Sequence, residues 1–201
     1  MRRRSLTVLL LAVALAGCGS FESHKKDGDM KVAMNMQEGA DAADAILLDT
    51  FAAVQPPLTW AHDAATERAC GDTNSTATGT ATRRATVMTK VSAVRRGSLL
   101  GVVERHWKKR GYKITSVDAD EELPAIYAAT PEDFRMSVAV GHEGQFFLSV
   151  TTPCFARSEV SPPRARPDGP TYSRGPLPPP DIHDHFWSSR DPLPASSPST
   201  P

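Results

Sequence analysis

Ala43, Leu47, Phe51 and Val54 recur at spacings of four, four and three, the apolar stripe of one helical face. Asp41, Asp44 and Asp49 fall off that stripe. Asn35 is placed to cap the helix, and Glu38 three residues later completes a capping-box pair. Pro56-Pro57 ends the element, because proline lacks the N–H and restricts its predecessor. Leu58, Trp60 and Ala61 predict a strand over 58–70, followed by a polar loop over 71–79. A second strand is expected over 84–94, with Ala85, Val87, Val91 and Ala93 on one face. Arg95-Arg96-Gly97 reads as a turn, and Ser98 as the cap of a second helix through Arg110. Leu99, Leu100, Val103 and Trp107 form its stripe, Lys108 to Arg110 suit its negative end, and Gly111 stops it. Strands are then predicted over 112–118, 124–130, 134–140 and 145–152. In the last pair Phe134, Met136, Val138 and Val140 alternate with Arg135, Ser137 and Ala139. Phe146, Leu148 and Val150 follow across the turn Gly141-His142-Glu143-Gly144. The class predicted is α+β: a single twisted antiparallel sheet with two helices packed on one face.

The first 17 residues do not fit that domain. Arg2, Arg3 and Arg4 precede an apolar run over 5–15 that is too short to span a bilayer and suits a cleavable export signal. Leu15-Ala16-Gly17-Cys18 resembles the lipobox of bacterial lipoproteins. The resemblance implies cleavage before Cys18 and a diacylglyceryl group on its sulfur. Two acyl chains hold a protein to a membrane where one gives only marginal binding. Processing removes three of the 23 basic residues and none of the 23 acidic ones, turning a formally neutral chain net negative. That leaves no electrostatic case for nucleic-acid binding.

The expected organisation is a lipoprotein signal peptide over 1–17, a lipidated N-terminus and polar tether over 18–35, the globular domain over 36–156, and a disordered Pro-rich tail over 157–201. Most of the 17 prolines lie in that last stretch, and Leu177-Pro178-Pro179-Pro180 favours polyproline II. Of the three cysteines, Cys18 goes to lipid. Cys70 and Cys154 are an even pair in an exported chain, and a Cys70–Cys154 disulfide is expected.

Candidate chemistry is sparse. No metalloprotease, P-loop, dinucleotide-binding or serine-elbow motif is present, and no cofactor is implied. His62 follows Trp60-Ala61 and precedes Asp63, with Glu67 nearby, but strand alternation sends His62 and Asp63 to opposite faces. His106 reads as a partly covered histidine on a helix flank, and His142 as a hairpin-tip residue. In the tail, Asp181, His183, Asp184 and His185 carry metal-binding side chains without supporting structure. The adjacent Phe186-Trp187 pair reads equally as a linear docking motif.

Ser98-Leu99-Leu100-Gly101 through Gly111-Tyr112, continuing to Thr151-Thr152-Pro153-Cys154, resembles small actinobacterial lipoproteins of the Streptomyces type. The resemblance covers about residues 70–155 and carries no catalytic residues. The expectation is a non-catalytic envelope lipoprotein, anchored on the extracytoplasmic face of the cell membrane. It would bind an envelope protein, a wall polymer or a small ligand. The competing expectation is a metal-dependent or hydrolytic enzyme in which His62, His106 and His142 converge with carboxylates. The sheet face opposite the helices is where the two part: exposed aromatic side chains there favour binding.

Overall fold

In the computed structural model of the chain, the described residues are 34–71, 77–142, 144–167, 170, 172 and 176–193. Cys18, the signal segment and nearly all of the tether lie outside them, as does Glu143. The elements run α1 (Met36–Ala52), β1 (Trp60–Ala69), β2 (Thr78–Val87), α2 (Ala93–Lys109), β3 (Lys113–Asp118), β4 (Ala125–Ala129), β5 (Arg135–Val140), β6 (Phe146–Thr151) and β7 (Phe155–Ala156). All the strands join one antiparallel sheet in the order β1-β2-β6-β5-β4-β3, with β7 also pairing β2. No helix among the described residues is long and apolar enough to cross a membrane.

The helices share one face of the sheet. Leu47, Phe51 and Val54 from the α1 side join Leu99, Val103 and Trp107 of α2 over Trp60, Val87, Phe146, Leu148, Val138 and Ile126 in one buried cluster. Phe51 stacks flat on Trp60 at 4.7 Å between ring centroids. The capping box forms: the Glu38 amide donates to Asn35 Oδ1 at 3.0 Å, and the Asn35 amide donates to Glu38 Oε2 at 2.8 Å. β5 and β6 pair as a hairpin with Val140 opposite Phe146, and Gly144 takes a positive φ of 76° in the turn. β4 and β5 are separate strands joined by a tight turn in which Asp133 sits at φ 64°.

Cys70 and Cys154 form the expected disulfide, closing a sequence separation of 84 residues. It joins the end of β1 to the segment between β6 and β7.

Two local expectations change, and one residue off the α1 stripe meets a distant partner. β2 starts at Thr78 and ends at Val87, earlier than predicted, because it pairs with β6 from Thr82 to Val87 and with β7 at Thr78 and Gly79. α2 starts at Ala93, so Arg95-Arg96-Gly97 is helical and Ser92, not Ser98, is the N-cap. Asp44 is not solvated beside the α1 stripe: it is only 7% exposed and lies 3.2 Å from the buried Arg83 of β2.

The domain also extends past residue 156. The Gln37 amide donates to Ser158 Oγ, and the Ser161 amide donates to Gln37 Oε1. Residues 176–193 then form a strap against the body of the domain. Ile182 bridges Thr89 in parallel, and Trp187 is 1% exposed within the main core cluster. Proline-rich composition argued against a self-sufficient core, but this segment needs none, because it borrows the domain's. Residues 194–201 of the expected tail lie outside the described residues.

Candidate binding surface

The sheet face away from the helices is built by the alternate residues of the strands. One row runs Ser116, Tyr127, Ser137, Ser149, Arg84, Asp63 across β3, β4, β5, β6, β2 and β1; the next runs Asp118, Ala125, Ala139, Phe147, Thr86, Ala61. Small side chains dominate the three middle strands, and two rings stand out of them, Tyr127 at 43% and Phe147 at 38% exposure. Strand spacing and the two-residue offset put their backbones roughly 12 Å apart. The hydroxyls of this face are partly engaged with each other: Ser137 and Ser149 lie 2.8 Å apart, Thr82 and Thr151 2.9 Å. A hydroxyl in such a pair keeps further hydrogen-bonding capacity, so the surface can still address a polar ligand. Arg135 is the charged side chain of this face within β4, β5 and β6.

The histidines are held apart on different elements. His62 points to the core side of β1, where its ring meets Trp60 edge-on and Nε2 donates to the Ala165 carbonyl at 2.8 Å. Asp63 points the other way, 3.4 Å from the Thr86 hydroxyl that donates to it. His106 on α2 pairs with Asp49 of α1 at 2.9 Å, and Arg110 Nε reaches the same carboxylate oxygen at 3.0 Å. A carboxylate oxygen shared with an arginine serves to join the two helices, alongside the Trp107 indole N–H donated to Thr50. His142 is exposed in the β5–β6 turn. Among the described residues no hydrogen bond joins any two of these three, and no group of three metal-binding side chains assembles. The convergence that the enzymatic expectation requires is not found there.

Arg83 and Asp44 form a polar cluster beneath α1. Arg83 Nη2 donates to the Ser161 carbonyl at 2.7 Å, while Asp44 Oδ1 has no hydrogen-bond partner. Burial raises the Asp44 carboxyl above its ordinary value, against the lowering pull of Arg83 and His62. Sequence periodicity places Asp44 outside the stripe and gives no sign of its partner, which comes from a strand.

The strap presents its own anchor. Asp184 Oδ1 accepts the amides of Phe186 and Trp187 at 2.8 and 2.7 Å, which fixes a turn that sets the two rings edge to face. Trp187 Nε1 donates to the Pro56 carbonyl at 2.7 Å. Arg95 lies over the Phe186 ring, with its Nε donating to the Phe186 carbonyl. The Phe186-Trp187 motif therefore docks, and its receptor is the chain that carries it. Of the four tail residues with metal-binding side chains, Asp184 is spent on the turn. His183 sits 3.4 Å from the Lys90 ammonium, and Asp181 accepts from the Tyr172 hydroxyl at 3.5 Å. His185 is exposed. No protein-family model, no curated protein and no solved structure matches this chain, so its functional reading rests on its own residues.

Proposed function

We propose that this chain is a membrane-anchored envelope lipoprotein that acts by binding, and that its open sheet face holds a wall polymer. The anchor follows from Cys18 and the segment before it. The observation that supports binding is the pair of exposed rings, Tyr127 and Phe147, standing on a bed of serine, threonine and alanine side chains. Exposed rings offer apolar faces to sugar C–H groups, and the surrounding hydroxyls exchange hydrogen bonds with sugar hydroxyls. On the three middle strands Arg135 is the one charged side chain of this face, with Asp118, Arg84 and Asp63 standing to either side, so its centre suits an uncharged glycan better than an acidic or basic partner.

Two substitutions separate the parts of this reading. Cys18→Ala should move the protein from the membrane fraction to the soluble fraction. Tyr127→Ala combined with Phe147→Ala should leave membrane fractionation intact and abolish co-sedimentation with purified, protein-free cell-wall polysaccharide. Unchanged fractionation of the first variant would sink the anchor. Unchanged co-sedimentation of the second, or none with the wild type, would sink the polymer surface.

A further inference from the structure

The structure points to a second site, independent of the sheet face. We propose that the cleft between the β2–α2 connection and the C-terminal strap binds a small free oxyanion of the phosphate type. The cleft has a volume of about 350 Å³ and is lined by Lys90, Ser92, Gly144, His183, Ser188 and Arg190 among others. That lies near the lower end of the range for small-molecule sites, about 300–1,000 Å³.

Its charge is one-sided. Lys90 comes from the domain, and His183 and Arg190 come from the strap, and among the described residues no acidic side chain lines the cleft. Among the described residues, neither Lys90 nor Arg190 forms an ion pair with a carboxylate. Lys90 Nζ instead donates to His183 Nε2 at 3.4 Å, which holds the two basic side chains together at the cleft. An anion seated beside the pair would draw on both side chains at once. This is not a general basicity of the chain, whose formal net charge is zero.

The start of α2 adds to the field. Ser92 lines the cleft as the N-cap of this 17-residue helix, but its side chain does not cap. Its hydroxyl donates to the Ser189 carbonyl instead, at 2.5 Å, and no acidic residue stands in the first turn. Among the described residues, the partial positive charge of the helix start thus has no carboxylate in its first turn and stands beside three basic side chains. Phosphate oxygens are suited to such a set because lysine, arginine and hydroxyl donors all make charge-assisted hydrogen bonds to them.

The test uses the full chain, titrated with inorganic phosphate and with pyrophosphate against sodium chloride of matched ionic strength. Thermal unfolding should rise saturably with either phosphate and not with chloride, with a Kd of about 1 mM or tighter. Lys90→Gln and Arg190→Gln should each weaken binding about tenfold, the effect of losing one charge-assisted contact. Both side chains are exposed, so the variants should unfold as the wild type does without phosphate. Arg135→Gln, on the open sheet face, should bind phosphate normally. Absence of saturation, or wild-type affinity in both cleft variants, overturns the proposal. So does binding to phosphatidylglycerol vesicles that Lys90→Gln abolishes while free phosphate fails to bind, which would make a lipid headgroup the ligand. Loss of polysaccharide binding in Tyr127→Ala/Phe147→Ala would leave this result untouched.

Discussion

Replacing Trp187 with alanine removes the strap's main anchor. The indole is 1% exposed, lies in the main core cluster and gives its N–H to Pro56. A buried tryptophan takes about 150–250 Å² from water, which at about 25 cal/mol per Å² sets an upper bound near 4–6 kcal/mol. Large-to-small core substitutions of this kind cost about 3–5 kcal/mol, cavity included. Two outcomes share that ceiling. If the strap stays docked, the domain carries the cavity and its unfolding midpoint falls by roughly 10 °C. If the strap lets go, the cost is capped at its docking free energy, and the amides of Lys90 and Ser92 lose their acceptors, the carbonyls of Ile182 and Trp187. Urea unfolding measures the first quantity, and hydrogen exchange at Lys90 and Ser92 separates the two cases. Unfolding within about 1 kcal/mol of wild type, with both amides still protected, would refute the claim that Trp187 holds the strap. Trp187→Phe keeps an apolar ring and should lose less, because it gives up chiefly the indole hydrogen bond, about 1 kcal/mol, and part of the area.

The remaining predictions concern the domain itself. Cys70→Ser/Cys154→Ser frees an 84-residue separation and should lower stability by about 4–5 kcal/mol in the chain-entropy account, read by urea unfolding; a loss under about 1 kcal/mol would remove the disulfide as a main brace. Asn35→Ala removes the side-chain half of the capping box, the acceptor of the Glu38 amide, and should cost about 1 kcal/mol, with α1 fraying in amide exchange. Burial raises Asp44 above 3.8, so the folded chain holds that proton more tightly than the unfolded chain does. This contribution is full below pH 3.8 and is lost as the pH rises through the folded-state value. Comparing the pH dependence of urea unfolding in the wild type and in Asp44→Asn should show that component only in the wild type; equal slopes would contradict it.

What the sequence reveals here depends on how far apart the interacting residues lie. The α1 stripe and its capping box involve residues three or four apart, and both appear in the structure as read. The alternation of β5 and β6 is likewise local, and a one-residue slip would turn every apolar side chain outward. The start of α2 is different. Ser92 Oγ and Arg95 Nε find their acceptors in Ser189 and Phe186, more than 90 residues away, so local signals favour Ser98 as the cap. The partner of Asp44 is hidden for the same reason, since Arg83 comes from β2, far along the chain. The strap lacks any period because it forms neither a helix nor an extended strand. It needs two aromatic anchors and an aspartate turn, and Phe186-Trp187 alone announced it. Of the candidate surfaces, the sheet face was legible from alternation, whereas the basic cleft was not, because its two walls come from distant parts of the chain.

The strap and the cleft cannot be independent of each other. The Lys90 amide donates to the Ile182 carbonyl, the Ser92 amide to the Trp187 carbonyl, and the Ser188 hydroxyl to the Lys90 carbonyl. These bonds set His183 and Arg190 against Lys90, so an open strap removes two of the three basic groups from the cleft. A ligand that binds only the docked form then sees an affinity scaled by the docked fraction, and by reciprocity it stabilises docking. Trp187→Ala should therefore weaken phosphate binding wherever amide exchange shows the strap released, although Trp187 does not line the cleft. Phosphate should in turn restore protection at Lys90 and Ser92 in that variant. Full phosphate affinity with both amides exchanging freely would mean that the anion does not read the strap, and that Lys90 and the helix start hold it alone.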